Sequence, residues 1–210
     1  MIRVAHVRRI PLSRRSHVTG FQPLPTGAVN HESALERDFV TVATFRDAAA
    51  SIVSQPITIQ FSDGPATRRY TPDFLVRWSN GRLELIEVKY WTDLRANWIQ
   101  LRPRFAAGRA WARERGARFR IATDTSIRGP LLENAKRLLP LRQAPLDAAI
   151  AQSAMLAAKS LVEPTFGCVV DALPCDRAMA LNVVWRLVAR GLLIVDLNAP
   201  VRLDTRVTPS

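Results

Sequence analysis

The chain has 210 residues, 48% of them hydrophobic, and a mean hydropathy of −0.01, which suits one or two packed domains and excludes a wholly disordered chain. Its formal net charge of +12 points to a polyanionic partner, nucleic acid before membrane. No apolar run approaches the ~20 residues that span a bilayer, and the basic N-terminus lacks the apolar centre of a secretory signal.

In chain order, residues 1–30 read as a basic, proline-containing arm, extended until Arg8, Arg9, Arg14 and Arg15 meet DNA phosphates. From His31 to about Ala50 the spacing of Leu35, Phe39 and Val42 predicts a helix with one apolar stripe, capped by Asn30 or Ser33. A strand is expected over Gln55 to Phe61. A second follows over Thr67 to Trp78 and a third over Arg82 to Tyr90, joined by a Ser79-Asn80-Gly81 turn. A short helix after Thr92-Asp93 leads to a longer one, with Pro103 at its first position and Gly116 just past its end. A fourth strand, Phe119 to Thr123, closes an α/β unit with a mixed central sheet over residues 31–125.

Residues 126–210 differ in character. Helical patterns at Leu131 to Leu139, Ala144 to Val162, Phe166 to Leu173 and Cys175 to Arg190 precede two apolar stretches around an Asn198-Ala199-Pro200 turn. Helix, helix, then ribbon is the outline of a winged helix. Charge separates the halves. Residues 1–128 hold 21 basic and 11 acidic residues, whereas residues 129–210 hold 9 and 7. The apolar, nearly neutral second half therefore reads as a protein-docking module. Cys168 and Cys175 form no zinc or disulfide pattern, and buried free thiols in a reducing cytoplasm are expected.

The chemistry concentrates between Tyr70 and Lys89. Asp73, after Pro72, heads one apolar run; Glu87 and Lys89 end the next. Residues i and i+2 of a strand share a face, so Glu87 and Lys89 project together and a hairpin brings Asp73 near them. Only Lys89, Lys136 and Lys159 are lysines in a chain that otherwise writes arginine, and Lys89 alone precedes residue 128. A lysine is a compact donor that can orient or deprotonate a water. Two carboxylates and an ammonium suit phosphodiester hydrolysis assisted by Mg2+, with Mn2+ able to substitute. Asp73 and Glu87 are the candidate ligands, joined by the Val88 carbonyl and, if the first helix packs on the sheet, by Glu36. Plain structural alternatives stand beside these roles: Asp73 as a turn cap, Glu87 and Lys89 as an ion pair, Glu36 as a solvent-facing helix residue. Glu84, Asp38 and Glu32 read as surface charges. Arg95, Arg102, Arg104, Arg109, Arg113 and Arg115 lie between Asp93 and Gly116 with Trp91, Trp98 and Trp111 among them. The first five are candidate phosphate contacts, and the tryptophans read as core.

Pro72-Asp73 with Glu87-Val88-Lys89 resembles the restriction-endonuclease-like PD-(D/E)xK superfamily. Adding Glu32 to Phe39, Ser54-Gln55-Pro56 and Tyr70 to Phe74 in that order, residues 15–125 resemble the TnsA family, the endonuclease subunit of heteromeric transposases. The resemblance implies a restriction-endonuclease-like core with Glu36, Asp73, Glu87 and Lys89 as active-site residues. It implies cutting at the 5′ ends of a mobile element, beside a companion DDE transposase (TnsB-like) and an AAA+ ATPase (TnsC-like) that the C-terminal domain contacts. A stand-alone repair, restriction or junction-resolving nuclease and a non-catalytic DNA-binding adaptor are the competing readings.

Overall fold

The computed structural model describes residues 20–24 and 27–210. The chain divides into two compact units, with the boundary between Arg128 and Gly129. Arg8, Arg9, Arg14 and Arg15 lie outside the described residues.

In the first unit, β1 (Gly20–Leu24) and β2 (Gly27–His31) form an antiparallel hairpin, so the end of the expected extended arm is ordered as strand. Helix α1 (Ala34–Arg46) is shorter than expected at both ends. Ser33 caps it, its hydroxyl oxygen accepting the Glu36 N–H at 3.1 Å.

Strands β3 (Ser51–Ser54), β4 (Ile59–Asp63), β5 (Ala66–Tyr70), β6 (Phe74–Arg77) and β7 (Leu83–Lys89) follow. One expected strand starts later than foreseen, after an unforeseen β3, and another is broken. Gln55, at φ 46°, and Pro56 separate β3 from β4, so Gln55 ends a strand instead of starting one. Pro72, which has no N–H to give a ladder, separates β5 from β6. Strands β4 and β5 then pair only with each other.

Helices α2 (Trp91–Ala96) and α3 (Trp98–Glu114) lead to β8 (Arg118–Thr123) and the short α4 (Asp124–Ile127). Pro103 sits inside α3, not at its start. Gly116, at φ 65°, ends the helix as expected: Ala117 N–H reaches the Ala112 carbonyl at 2.8 Å and Gly116 N–H reaches Arg113.

The central sheet runs β3-β6-β7-β8. The first three strands are antiparallel, and β8 lies parallel to β7. Alternation along the strands makes two cores. Phe74, Val76, Ile86 and Val88 pack with Leu35, Phe39, Val40 and Ala43 of α1. Leu75 and Leu85 pack with Leu101, Phe105 and Ala112 of α3, and Tyr70 joins them. Gly108 permits that second contact. A Cβ there would lie 2.9 Å from the Phe119 ring and 3.0 Å from Tyr70.

In the second unit, α5 (Pro130–Leu138), a 3-10 turn (Leu139–Leu141), α6 (Ala148–Ser160), α7 (Phe166–Asp171) and α8 (Arg177–Ala189) surround a core containing Leu138, Ala154, Phe166, Val184 and Leu187. The closing ribbon is far shorter than expected: β9 (Leu193–Ile194) pairs with β10 (Thr208–Pro209). Buried Asn134 donates to the Leu197 and Ala199 carbonyls at 2.9 Å each and pins the intervening loop. Cys168 is exposed and Cys175 half-buried, which corrects the expectation of two buried thiols.

Candidate active site

The site forms where β6 begins and β7 ends. The ladder between these strands stops at Phe74 and Ile86. Beyond it, the Val88 amide donates to Asp73 Oδ2 at 2.6 Å, so the carboxylate takes the place of a backbone acceptor. A strand residue turns its N–H and C=O to the same side, which directs the Val88 carbonyl toward Asp73 as well. Asp73, Glu87 and Lys89 share the sheet face of Leu75 and Leu85, beneath α3.

Glu87 is buried with both oxygens engaged. Its Oε1 lies 3.1 Å from Lys89 Nζ, and its Oε2 accepts the Tyr70 hydroxyl at 2.8 Å. Glu36 arrives from the first turn of α1. Its carboxylate accepts the Glu32 N–H at 2.8 Å and the Ser33 hydroxyl at 2.9 Å, which ties it to the chain just before the helix. The plain structural roles are thus real: Asp73 caps an amide, Glu87 pairs with Lys89, and Glu36 ties its helix to the preceding chain.

Electrostatics nevertheless join the four groups. Burial, then the charges of Glu87 and Glu36, push the Asp73 carboxyl well above its ordinary range, against the opposing pull of Lys89 and the Val88 amide. Burial also raises Glu36, despite its hydrogen bonds to Glu32 and Ser33. Burial would lower Lys89, but Glu87 and Asp73 outweigh it and hold the ammonium protonated. Burial and the neighbouring Glu87 raise Tyr70, so its phenol stays a proton donor.

Two residues given no role on sequence grounds belong here. Tyr70 orients Glu87. Gln55 is buried, its N–H donates to the Asp73 carbonyl at 2.7 Å, and its Oε1 has no hydrogen-bond partner. A non-glycine residue at positive φ is uncommon, and a side chain kept there marks a constrained position. The Tyr70-to-Asp73 spacing and the Gln-Pro step were the available signals.

Other expectations change. Glu84 faces away from Glu87 but is buried, accepting Trp78 Nε1–H at 3.0 Å and pairing with Arg82 and Arg120. Asp38 is buried too, held by Arg128 at 3.1 Å. Arg95, Arg102, Arg109 and Arg113 are exposed. Arg104 is half-buried, and its charge acts on both Tyr70 and Lys89. Trp91 and Trp98 are exposed instead of core, while Trp111 is half-buried beneath Arg115.

Residues 46–124 match the model of the TnsA-like endonuclease N-terminal domain. This match supports a TnsA-type endonuclease domain. The segment contains Gln55, Tyr70, Asp73, Glu87 and Lys89, whereas Glu36 precedes it. No curated protein matches the chain. The mixed sheet between helices is consistent with the restriction-endonuclease-like core of a TnsA-like nuclease.

Among the described residues, no three of His, Cys, Asp and Glu gather closely enough to form a ready-made metal cage. The donor set itself fits a hard divalent cation. Carboxylates and a backbone carbonyl are oxygen donors, and burial together with the charges of Glu87 and Glu36 makes the Asp73 charge one that a cation would relieve.

Proposed function

We propose that the chain is a magnesium-dependent DNA endonuclease, the subunit of a heteromeric transposase that cuts the 5′ ends of a mobile element. The observation that carries this reading is the junction of Asp73, Val88, Glu87 and Lys89 inside the TnsA-like segment. Asp73 and the Val88 carbonyl would hold the cation, with Glu87 and Glu36 sharing their carboxylates; Mn2+ would substitute. When bound, such an ion polarises the scissile phosphate and lowers the pKa of its water.

The chain's own groups divide the remaining work. Lys89 keeps its proton and offers N–H donors to the phosphate or the attacking water. Glu87 holds the ammonium in place, and Tyr70 fixes the Glu87 carboxylate from its other oxygen. Gln55 ties the Asp73 backbone to the end of β3. Arg95, Arg102, Arg104, Arg109 and Arg113 would contact phosphates along α2 and α3, with the basic N-terminal arm adding Arg8, Arg9, Arg14 and Arg15.

Residues 129–210 would form a winged-helix-like module that docks the AAA+ ATPase, with the DDE transposase engaging the assembly. Support comes from the helix order, the short ribbon and the near-neutral charge of this unit. Its exposed Leu156, Val162, Met179, Ile194 and Leu203 also suit contact with a protein. A cytoplasmic, DNA-associated location follows from the same reading. The test is Asp73→Ala, which should abolish metal-dependent cleavage while DNA binding persists. Unchanged cleavage excludes the site.

A further inference from the structure

Trp91, Leu94, Arg95 and Trp98 fall at positions i, i+3, i+4 and i+7, and together line an open groove of about 440 Å3 on the first unit. Leu94 is its buried floor. The two indoles are 46% and 44% exposed, although tryptophan normally buries most of its area in a core. Trp98 is braced from beneath by Phe105, with ring centroids 6.2 Å apart, so the groove wall is held by the α3 core. Arg95 forms part of the rim, and exposed Arg102 follows on α3. Trp91, one of its walls, stands only two residues after Lys89 in the chain.

We propose that this groove seats an unpaired nucleobase of the DNA strand beside the cut. The proposal rests on the nuclease reading and adds a substrate preference to it. A nucleobase presents a flat apolar face with an anionic phosphate close by; the groove presents indole faces with a guanidinium at the rim. The charge around it agrees, because Arg95, Arg102, Arg109 and Arg113 are opposed only by Asp93 and Glu114 along α2 and α3. Stacking on an aromatic side chain is tolerant of sequence and contributes ~1–3 kcal/mol per base. That does not cover the few kcal/mol needed to unstack and unpair an intact duplex, but it suffices where a base is already free. The groove therefore selects frayed or gapped DNA without reading its sequence.

The test uses the full chain in EDTA, which separates binding from cleavage. A labelled duplex and the same duplex with a short unpaired stretch are titrated by fluorescence anisotropy. The wild type should prefer the unpaired DNA by roughly 5- to 150-fold, the equivalent of one stacked base. Trp91→Ala and Trp98→Ala should each lose most of that preference while retaining duplex affinity. Trp98→Tyr, which keeps a stacking face, should retain it, and thermal melts establish that each variant is folded. Equal losses on both DNAs, or no loss on either, overturn the proposal; the second result assigns the groove to a protein segment. Asp73→Ala should keep the preference, so failure of the groove and failure of the nuclease reading are read out separately.

Discussion

Asp73 carries opposing demands. Its Oδ2 must accept the Val88 amide, while burial, then Glu87 and Glu36, make its negative charge costly. Asp73→Asn keeps an oxygen for the amide and removes the charge. The metal-free variant should therefore be more stable than the wild type at neutral pH. Denaturant melts in EDTA measure this, and the same variant should be inactive in cleavage. A less stable variant would mean that neither burial nor the neighbouring carboxylates make the Asp73 charge costly. The Asp, Glu and Lys of this site were legible in the sequence because their chemistry and i, i+2 spacing are local. Tyr70 and Gln55 were not, because their roles depend on register. Tyr70 reaches Glu87 across 17 positions, and Gln55 meets Asp73 only once β3 has paired with β6. Glu84 and Asp38 misled for a related reason. Besides their local arginines, Glu84 meets Arg120 of β8 and Asp38 meets Arg128, both from the far end of the unit.

Helices and sheet faces were easier to foresee than strand ends. The apolar stripe of α1 and the Gly116 stop were local signals. The interruptions at Gln55-Pro56 and Thr71-Pro72-Asp73 depend on which strands pair, and there the hairpin β4–β5 leaves the sheet. Helix α3 packs over the site through Gly108, which suggests a direct probe. Alanine in a helix interior normally gains ~1 kcal/mol over glycine. At Gly108 the added methyl would press on Phe119 and Tyr70, and overpacking costs roughly 1–3 kcal/mol. Gly108→Ala should lower the melting temperature and weaken cleavage through Tyr70; a stabilised variant would contradict the packing. At the other end of α1, Asp47 accepts the Ser79 N–H at 2.7 Å and ties the helix to the β6–β7 turn. That backbone hydrogen bond holds the Asp47 carboxyl below its ordinary value of 3.8. A folded pKa lowered in this way stabilises the protein above the unfolded value, and the benefit disappears as pH falls through the folded one. Melting curves should show Asp47→Ala below the wild type at pH 6, with the gap closing as pH falls below the ordinary value of 3.8. A gap independent of pH would assign the loss to packing.

Across the whole molecule, charge and chemistry divide along the same boundary. The first unit holds the candidate active site, the exposed arginines of α2 and α3 and most of the +12 charge. The second is nearly neutral and folds around its own apolar core. This division was visible in the sequence because composition needs no tertiary information. The terminal ribbon was not: of the apolar stretch after the Asn198-Ala199-Pro200 turn, Arg206 makes only an isolated bridge to Thr165, and β9 pairs with Thr208–Pro209 beyond it. On the proposed reading partners deliver the DNA, so the decisive assay supplies them. Element-end DNA is incubated with the full chain, the companion transposase and Mg2+, and 5′-strand cleavage is followed for the wild type and for Asp73→Ala. The account predicts cleavage by the wild type, its loss on chelation, and a fall of at least about a hundredfold in the variant with DNA binding retained. Cleavage that survives in Asp73→Ala, or that proceeds equally well in EDTA, would contradict it.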